Sequence, residues 1–328
     1  MSDVGFLLVL PVVVPLATAA TLLVLRRRPR AARVVSLLGL AGLFAASVAL
    51  LATVLEGGIL ARTLGGWPAP FGITLAADTF GAVLVLINAV LGLSIGVYAL
   101  GDVDPSTRAL GFEPFYQVLI AGISGAFLTG DLFNLYVWFE VMLIATFGLL
   151  VSRRGRAQTD GAVKYVAINL VATTAMLVGI GLLYGLTGTL NFADLHTKAS
   201  TAAGGTIRDA VAVLLLFAFA VKAALFPLFF WLPASYHTTT VSASAIFAGL
   251  LTKVGAYAMF RMLTFVFPQT PGVAVAPLLA VALLTMVTGV LGAASQTGVR
   301  RILSFHIVSQ LGYIVLGLAI YTPLAIAG

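Results

Sequence analysis

Residues 211–260 read VAVLLLFAFAVKAALFPLFFWLPASYHTTTVSASAIFAGLLTKVGAYAMF, and this stretch decides what kind of molecule the chain is. It holds two apolar runs, each with one lysine deep inside, Lys222 and Lys253, separated by a proline-marked polar passage. A third run, LFNLYVWFEVMLIATFGLLV at 132–151, carries Glu140 in the same way. Runs of about 20 apolar residues reach across the roughly 30 Å hydrocarbon core of a bilayer, where a helix satisfies its own backbone groups. An ionisable side chain at that depth costs from about 3 to more than 10 kcal/mol, so such residues pair, face water or move ions.

Composition extends this reading to the whole chain. Hydrophobic residues make up 61% and charged residues 9% of 328, which is the composition of an integral membrane protein. The absence of cysteine excludes a disulfide framework, a thiolate zinc site and an iron–sulfur cluster. No glycine loop follows a strand, no histidines and carboxylates cluster at metal-ligand spacing, and no serine nucleophile has a base nearby. No cofactor is therefore expected, nor any hydrolytic or redox chemistry of the chain's own.

The apolar pattern predicts an all-α bundle of ten spans, at about 6–25, 34–55, 80–100, 115–129, 132–151, 163–185, 210–230, 243–265, 273–294 and 302–321. Phe6 to Leu25 is read as a retained span and not a signal peptide, because charges follow it instead of preceding it. Alternate loops hold Arg26, Arg27, Arg28, Arg30, Arg33, Arg108, Arg153, Arg154, Arg156, Lys164, Arg300 and Arg301, against Arg62, Lys198, Arg208 and Arg261 on the other side. The positive-inside rule then puts both termini outside. The net charge of +7 becomes a topological signal beside anionic lipid and not a nucleic-acid footprint. No nucleic-acid partner is expected.

Topology gives depth. Glu140 lies nine residues in from Asp131, about 13 Å at the helical rise; Lys222 and Lys253 come out at roughly 18 and 15 Å from their ends. All three reach nearly one plane, which is what a sideways proton relay with short, water-bridged hops requires. The competing reading is a neutralised pair between Glu140 and one lysine that holds helices together, and it leaves the second lysine unexplained. Burial and pairing push such groups in opposite directions, so their protonation is coupled.

Pro227 lacks an N–H, and its ring clashes with the carbonyl of Ala223, so the helix should break beside Lys222 and free a carbonyl able to hold water. After the break, Trp231 and Tyr236 are read as interfacial anchors. His237 titrates near neutral pH and is a candidate for admitting protons from the cytoplasm, with a solvated loop histidine as the alternative. In RRILSFHIVSQLGYI, Ser304, His306, Ser309 and Gln310 form a second polar cluster, part of it on one face; His306 is either a branch of a wet path or a hydrogen-bonder at the interface. The remaining charges, Asp78, Asp102, Asp104, Glu113, Asp160, Asp194 and Asp209, read as solvated.

The stretches LTGDLFNLYVWFEVMLIATFGLL, VKAALFPLFFWLPASYHTTTVSASAIFAGLLTKVGAYA and RRILSFHIVSQLGYI resemble the proton-conducting antiporter-like family. That family includes the large membrane subunits of respiratory complex I and the Mrp-type cation/proton antiporters; the wording around Glu140 and Lys253 is closest to the Mrp D type. The resemblance implies that Glu140 pairs with Lys222 on a broken seventh helix and that Lys253 passes protons along a hydrated axis. It implies Na⁺ and protons as cargo, membrane lipid around the chain, and the other hydrophobic Mrp subunits A, B, C, E, F and G as partners in a bacterial plasma membrane. By the same resemblance, residues 1–110 form a peripheral three-helix segment and 111–270 the first of two inverted five-helix repeats. Residues 271–328 then start a second repeat that is cut short. Family members have about fourteen spans and a titratable residue in the twelfth, so the expectation is a chain that is part of something longer. The alternatives are a pump subunit of a respiratory or hydrogenase complex, a structural scaffold, and a small-molecule secondary transporter.

Overall fold

The computed structural model describes residues 4–153, 155–201, 205–267 and 271–327. Arg154, counted above among the basic loop residues, lies outside them, as does residue 270, where two expected segments meet. Ten long helices account for the expected spans: α1 (Leu10–Val24), α2 (Pro29–Gly57), α3 (Thr79–Asp102), α4 (Phe112–Leu128), α5 (Leu132–Val151), α6 (Arg156–Thr187), α7 (Gly205–Lys222), α8 (Val241–Val266), α9 (Pro271–Ala294) and α10 (Val299–Ile320). Among the described residues, eight helices are long and apolar enough to cross a membrane; α4, with 17 residues, is shorter, and α7 completes the ten.

The helix starts follow from local chemistry. Pro29 opens α2 at a position where no N–H is needed. Asp78 accepts from the Gly81 N–H at 2.8 Å to cap α3, and Asp131 accepts from the Asn134 N–H at 2.8 Å to cap α5. Asp104 likewise caps the short helix Pro105–Ala109, and its hydroxyl and backbone donors hold its carboxyl well below the usual carboxylate range. Glu113 is not a solvated charge either: it pairs with Arg108, both side chains being largely buried.

Between α2 and α3 the chain forms a hairpin, β1 (Leu60–Thr63) and β2 (Thr74–Ala77), antiparallel with Leu60 opposite Ala77 and Thr63 opposite Thr74. Gly130 N–H donates to the Thr74 carbonyl at 2.8 Å, which ties this hairpin to the start of α5.

The chain divides into two compact units, 1–159 with 239–250, and 160–238 with 251–328. In the first, α4 lies among α1, α2, α3 and α5. Its residues 119–128 are all buried, so it does not have to match the lipid thickness itself. Glycines let it come close: a Cβ at Gly125 would overlap the Trp138 ring, and one at Gly122 would press on Met142. Two buried amides bridge helices here. Asn88 donates to the Ile120 carbonyl at 3.0 Å and to Ser124 at 2.8 Å, and Gln117 donates to the Ser36 carbonyl at 2.9 Å. In the second unit α9 and α10 pack in the same manner, with Gly289 against the Ser309 backbone and Gly312 against Met286.

Candidate functional site

The second unit contains both intramembrane lysines. Lys222 is the last residue of α7 and is 5% exposed. Its Nζ donates to Thr173 Oγ1 on α6 at 3.2 Å. The helix then breaks, as Pro227 predicts. Ala224 adopts φ +54°, Leu225 N–H reaches back five residues to the Ala220 carbonyl at 3.0 Å, and helix resumes only at Trp231–Ser235. The break is fastened by Phe226 N–H on Thr285 Oγ1 of α9 at 2.9 Å.

The surroundings of the break differ from expectation in two respects. The Val221 carbonyl, next to Lys222, accepts from the Trp231 indole N–H at 3.1 Å, so a side chain occupies a group that was expected to hold water. Trp231 and Tyr236, each 1% exposed, are not interfacial anchors. They stack edge-on at 5.8 Å, Trp231 also meets Tyr165 at 5.4 Å, and together these rings form an apolar base under the break.

Lys253 is half-buried on α8, just after a π-helical turn at Phe247–Leu251; a second π-turn at Met262–Val266 follows. Such turns carry one extra residue and recur at functional sites. Two residues beyond Lys253, Gly255 lies against the broken strand: a Cβ there would stand 2.6 Å from the Ala223 nitrogen and 2.9 Å from the Lys222 carbonyl carbon. Glycine is thus required for α8 to touch the chain at Lys222. The two lysines lie on backbones in contact, with Lys253 offset from that contact by about 3 Å of helical rise.

Glu140 belongs to the first unit. It is half-buried near the middle of α5, with Tyr136 one turn earlier close enough to feel its charge. The helix side nearby is apolar and open, with Val137 36% and Ile144 64% exposed.

His237 sits in the turn Tyr236–Thr238. Its Nδ1 lies 2.8 Å from the Pro233 carbonyl, which can only accept, so Nδ1 carries the proton and Nε2 faces Arg301 Nε at 3.4 Å. It is therefore a tethered histidine and not a loosely solvated one. Burial, with Arg301 and Arg300 adding to it, pushes its pKa below the ordinary value, against the pull of the Pro233 carbonyl. It borders an open cavity of about 510 Å³ that also involves Gln296, Arg300 and Arg301. The cluster on α10 separates by face: Ser304 and Ser309 are buried, whereas His306 and Gln310 are exposed beside Leu303 and Tyr313.

Sequence reasoning missed Thr173, because a threonine in an apolar helix looks the same whether it binds its own backbone or a neighbour's amine. It also missed that Asp131 is only 6% exposed. Among the described residues no group of three or more histidines and carboxylates converges as a metal site would.

Comparison with known proteins agrees with this arrangement. The family described as NADH:quinone oxidoreductase/Mrp antiporter, TM, matches residues 129–328. The D-type subunit of the Na(+)/H(+) antiporter of Alkalihalophilus pseudofirmus is 44% identical over 322 residues, covering 98% of this chain and 65% of that protein. A chain in the solved Mrp complex from Dietzia sp. is 34% identical with a TM-score of 0.91, over 99% of this chain and 60% of that one. A chain of the membrane-bound sulfane sulfur reductase, an archaeal respiratory membrane complex, is 27% identical with a TM-score of 0.90, over 96% of this chain and 65% of that one. The chain thus spans about two thirds of the length of the relatives it matches. On a family match over its latter part and close identity along nearly all its length, the chain belongs to the NADH:quinone oxidoreductase/Mrp antiporter membrane family.

Proposed function

We propose that the chain is a proton-carrying, D-type subunit of a multi-subunit Na⁺/H⁺ antiporter. Glu140, Lys222 and Lys253 form the relay, His237 is its cytoplasmic access, and His306 is a secondary branch. The observation that carries this reading is a lysine buried at a helix break, its amine on a hydroxyl and its backbone against the helix of a second lysine. An amine on an interrupted helix has polar partners available and can exchange its proton, whereas one buried among intact apolar helices is simply penalised. The relatives named as antiporter subunits support Na⁺ and protons as cargo and the hydrophobic Mrp subunits A, B, C, E, F and G as partners. The arginine distribution supports termini outside a bacterial plasma membrane.

Flux in everted vesicles from cells expressing the whole complex tests the relay. Glu140→Gln and Lys222→Ala are expected to abolish cation-dependent proton movement nearly completely, and Lys253→Ala to weaken it. Normal exchange in all three, with normal amounts of assembled complex, removes the proposal. A second reading, a pump subunit of a respiratory complex, is favoured by the likeness to the archaeal respiratory membrane complex. Quinone-reductase activity copurifying with the chain would establish it.

A further inference from the structure

Among the charges that read as solvated from the sequence, Asp102 has a different position. It is the last residue of α3, the end of a helix where the dipole disfavours a carboxylate. Its Oδ2 instead accepts from the backbone N–H of Ser242 at 2.8 Å and from the Ser242 hydroxyl at 2.7 Å, 140 residues away in the chain. Ser242 lies in the first turn of α8, where unpaired N–H groups and the positive dipole end favour an anion. Thr240 adds an ordinary cap, accepting from the Ala243 N–H at 3.2 Å. Further along, a Cβ at Gly249 would stand 3.2 Å from the Leu91 side chain, so α8 also lies close on α3 within its first π-turn. All these groups belong to the first unit.

Lys253 follows Ser242 by eleven residues, and a π-turn lies between them. A slip of α8 by one residue turns every later side chain by about 100° and moves it about 1.5 Å along the axis. The register of the anchored end therefore decides where Lys253 points. We propose that Asp102 is a positioning residue for Lys253: it caps α8 from α3 and fixes the rotation and depth at which α8 presents its lysine. The functional consequence rests on the relay reading above, but the positioning itself does not.

The chain has no cysteine, so Lys253→Cys supplies a single thiol whose reaction rate with a small methanethiosulfonate reagent reports the position of that side chain. The measurement is made in membranes holding the whole complex. Asp102→Ala is expected to change that rate about threefold or more, as loss of a helix cap lets the first turn shift, while Asp102→Asn, which keeps an acceptor oxygen, restores it. With Lys253 in place, Asp102→Ala should lower cation-dependent proton flux several-fold and Asp102→Asn should recover most of it. An unchanged labelling rate in Asp102→Ala overturns the proposal whatever the flux does. If Asp102→Ala fails to accumulate, Ser242→Ala, which removes only the hydroxyl donor, decides in the same assay: a changed rate supports the positioning and an unchanged one overturns it. A changed rate combined with full flux in Lys253→Ala leaves the positioning standing and removes Lys253 from the relay.

Discussion

Lys222 ends its helix with its amine on Thr173 and its carbonyl carbon facing Gly255. A hydrogen bond to a charged group contributes about 1.5–3 kcal/mol, roughly twice a neutral one. Thr173→Val keeps the shape and removes that hydroxyl, so it is expected to reduce cation-dependent proton flux several-fold with the amount of protein unchanged, while Thr173→Ser keeps it; equal flux in both variants would remove Thr173 from the site. His237 makes a second prediction, of stability. Its pKa in the folded chain lies below the unfolded value of 6.5, first through burial and then through Arg301 and Arg300, so the fold favours the neutral ring. That contribution is fully present above pH 6.5 and is lost as the pH falls through the lower folded value. Thermal unfolding of the purified protein should therefore come at lower temperature at about pH 5.5 than at about pH 7.5, and His237→Gln should flatten the difference. An identical pH slope in the variant would show that His237 is not a source of it.

At the level of elements, the break after α7 and the close crossing by α8 define the site. A methyl group at position 255 would have to enter space held by the Ala223 nitrogen and the Lys222 carbonyl carbon, both backbone atoms that cannot swing aside. Overpacking of this kind costs typically about 1–3 kcal/mol. Gly255→Ala is expected to lower the unfolding temperature and the flux together, and Gly255→Val to do so more strongly, whereas Gly181→Ala on α6, with open space around it, should change neither. The spans themselves were legible in the sequence because twenty apolar residues are a length signal, and the break because Pro227 cannot continue a helix. Much else was not. In a membrane protein the interior and the lipid-facing surface are both apolar, so nothing in the letters separates buried Phe127 from Ile144, which is 64% exposed. The same ambiguity made Trp231 and Tyr236 look like interfacial anchors. A π-turn is one extra residue with no compositional mark, which hid both turns of α8. The β1–β2 hairpin is two four-residue strands in a loop, too short for alternation to register. The polar contacts that count at the site join residues far apart in the chain, as Asp102 and Ser242 do, and periodicity carries no information about them.

For the whole molecule, the distribution of basic residues determines how the site is fed. Arg26, Arg27 and Arg28 end α1, Arg108 lies between α3 and α4, Arg153 and Arg156 flank the turn from α5 to α6, and Arg300 and Arg301 open α10. These are alternate connections, as they must be if the helices cross a bilayer one after another. Each basic residue near an anionic leaflet contributes about 1 kcal/mol, so the bias summed over four connections outweighs the preference of any single span. The same side holds His237 with Arg301 beside it, which is the reason to regard that end as the cytoplasmic mouth of the relay. The orientation is open to direct measurement because every thiol in the chain has to be introduced. Trp67→Cys places one in the exposed connection between α2 and α3, and Ser106→Cys places one in the next connection. A membrane-impermeant thiol reagent added to intact cells is expected to label the first and spare the second, and everted vesicles should give the opposite pattern. If intact cells label Ser106→Cys instead, the arginine-bearing ends face outward, and His237 would then stand at the external mouth and accept protons from outside the cell.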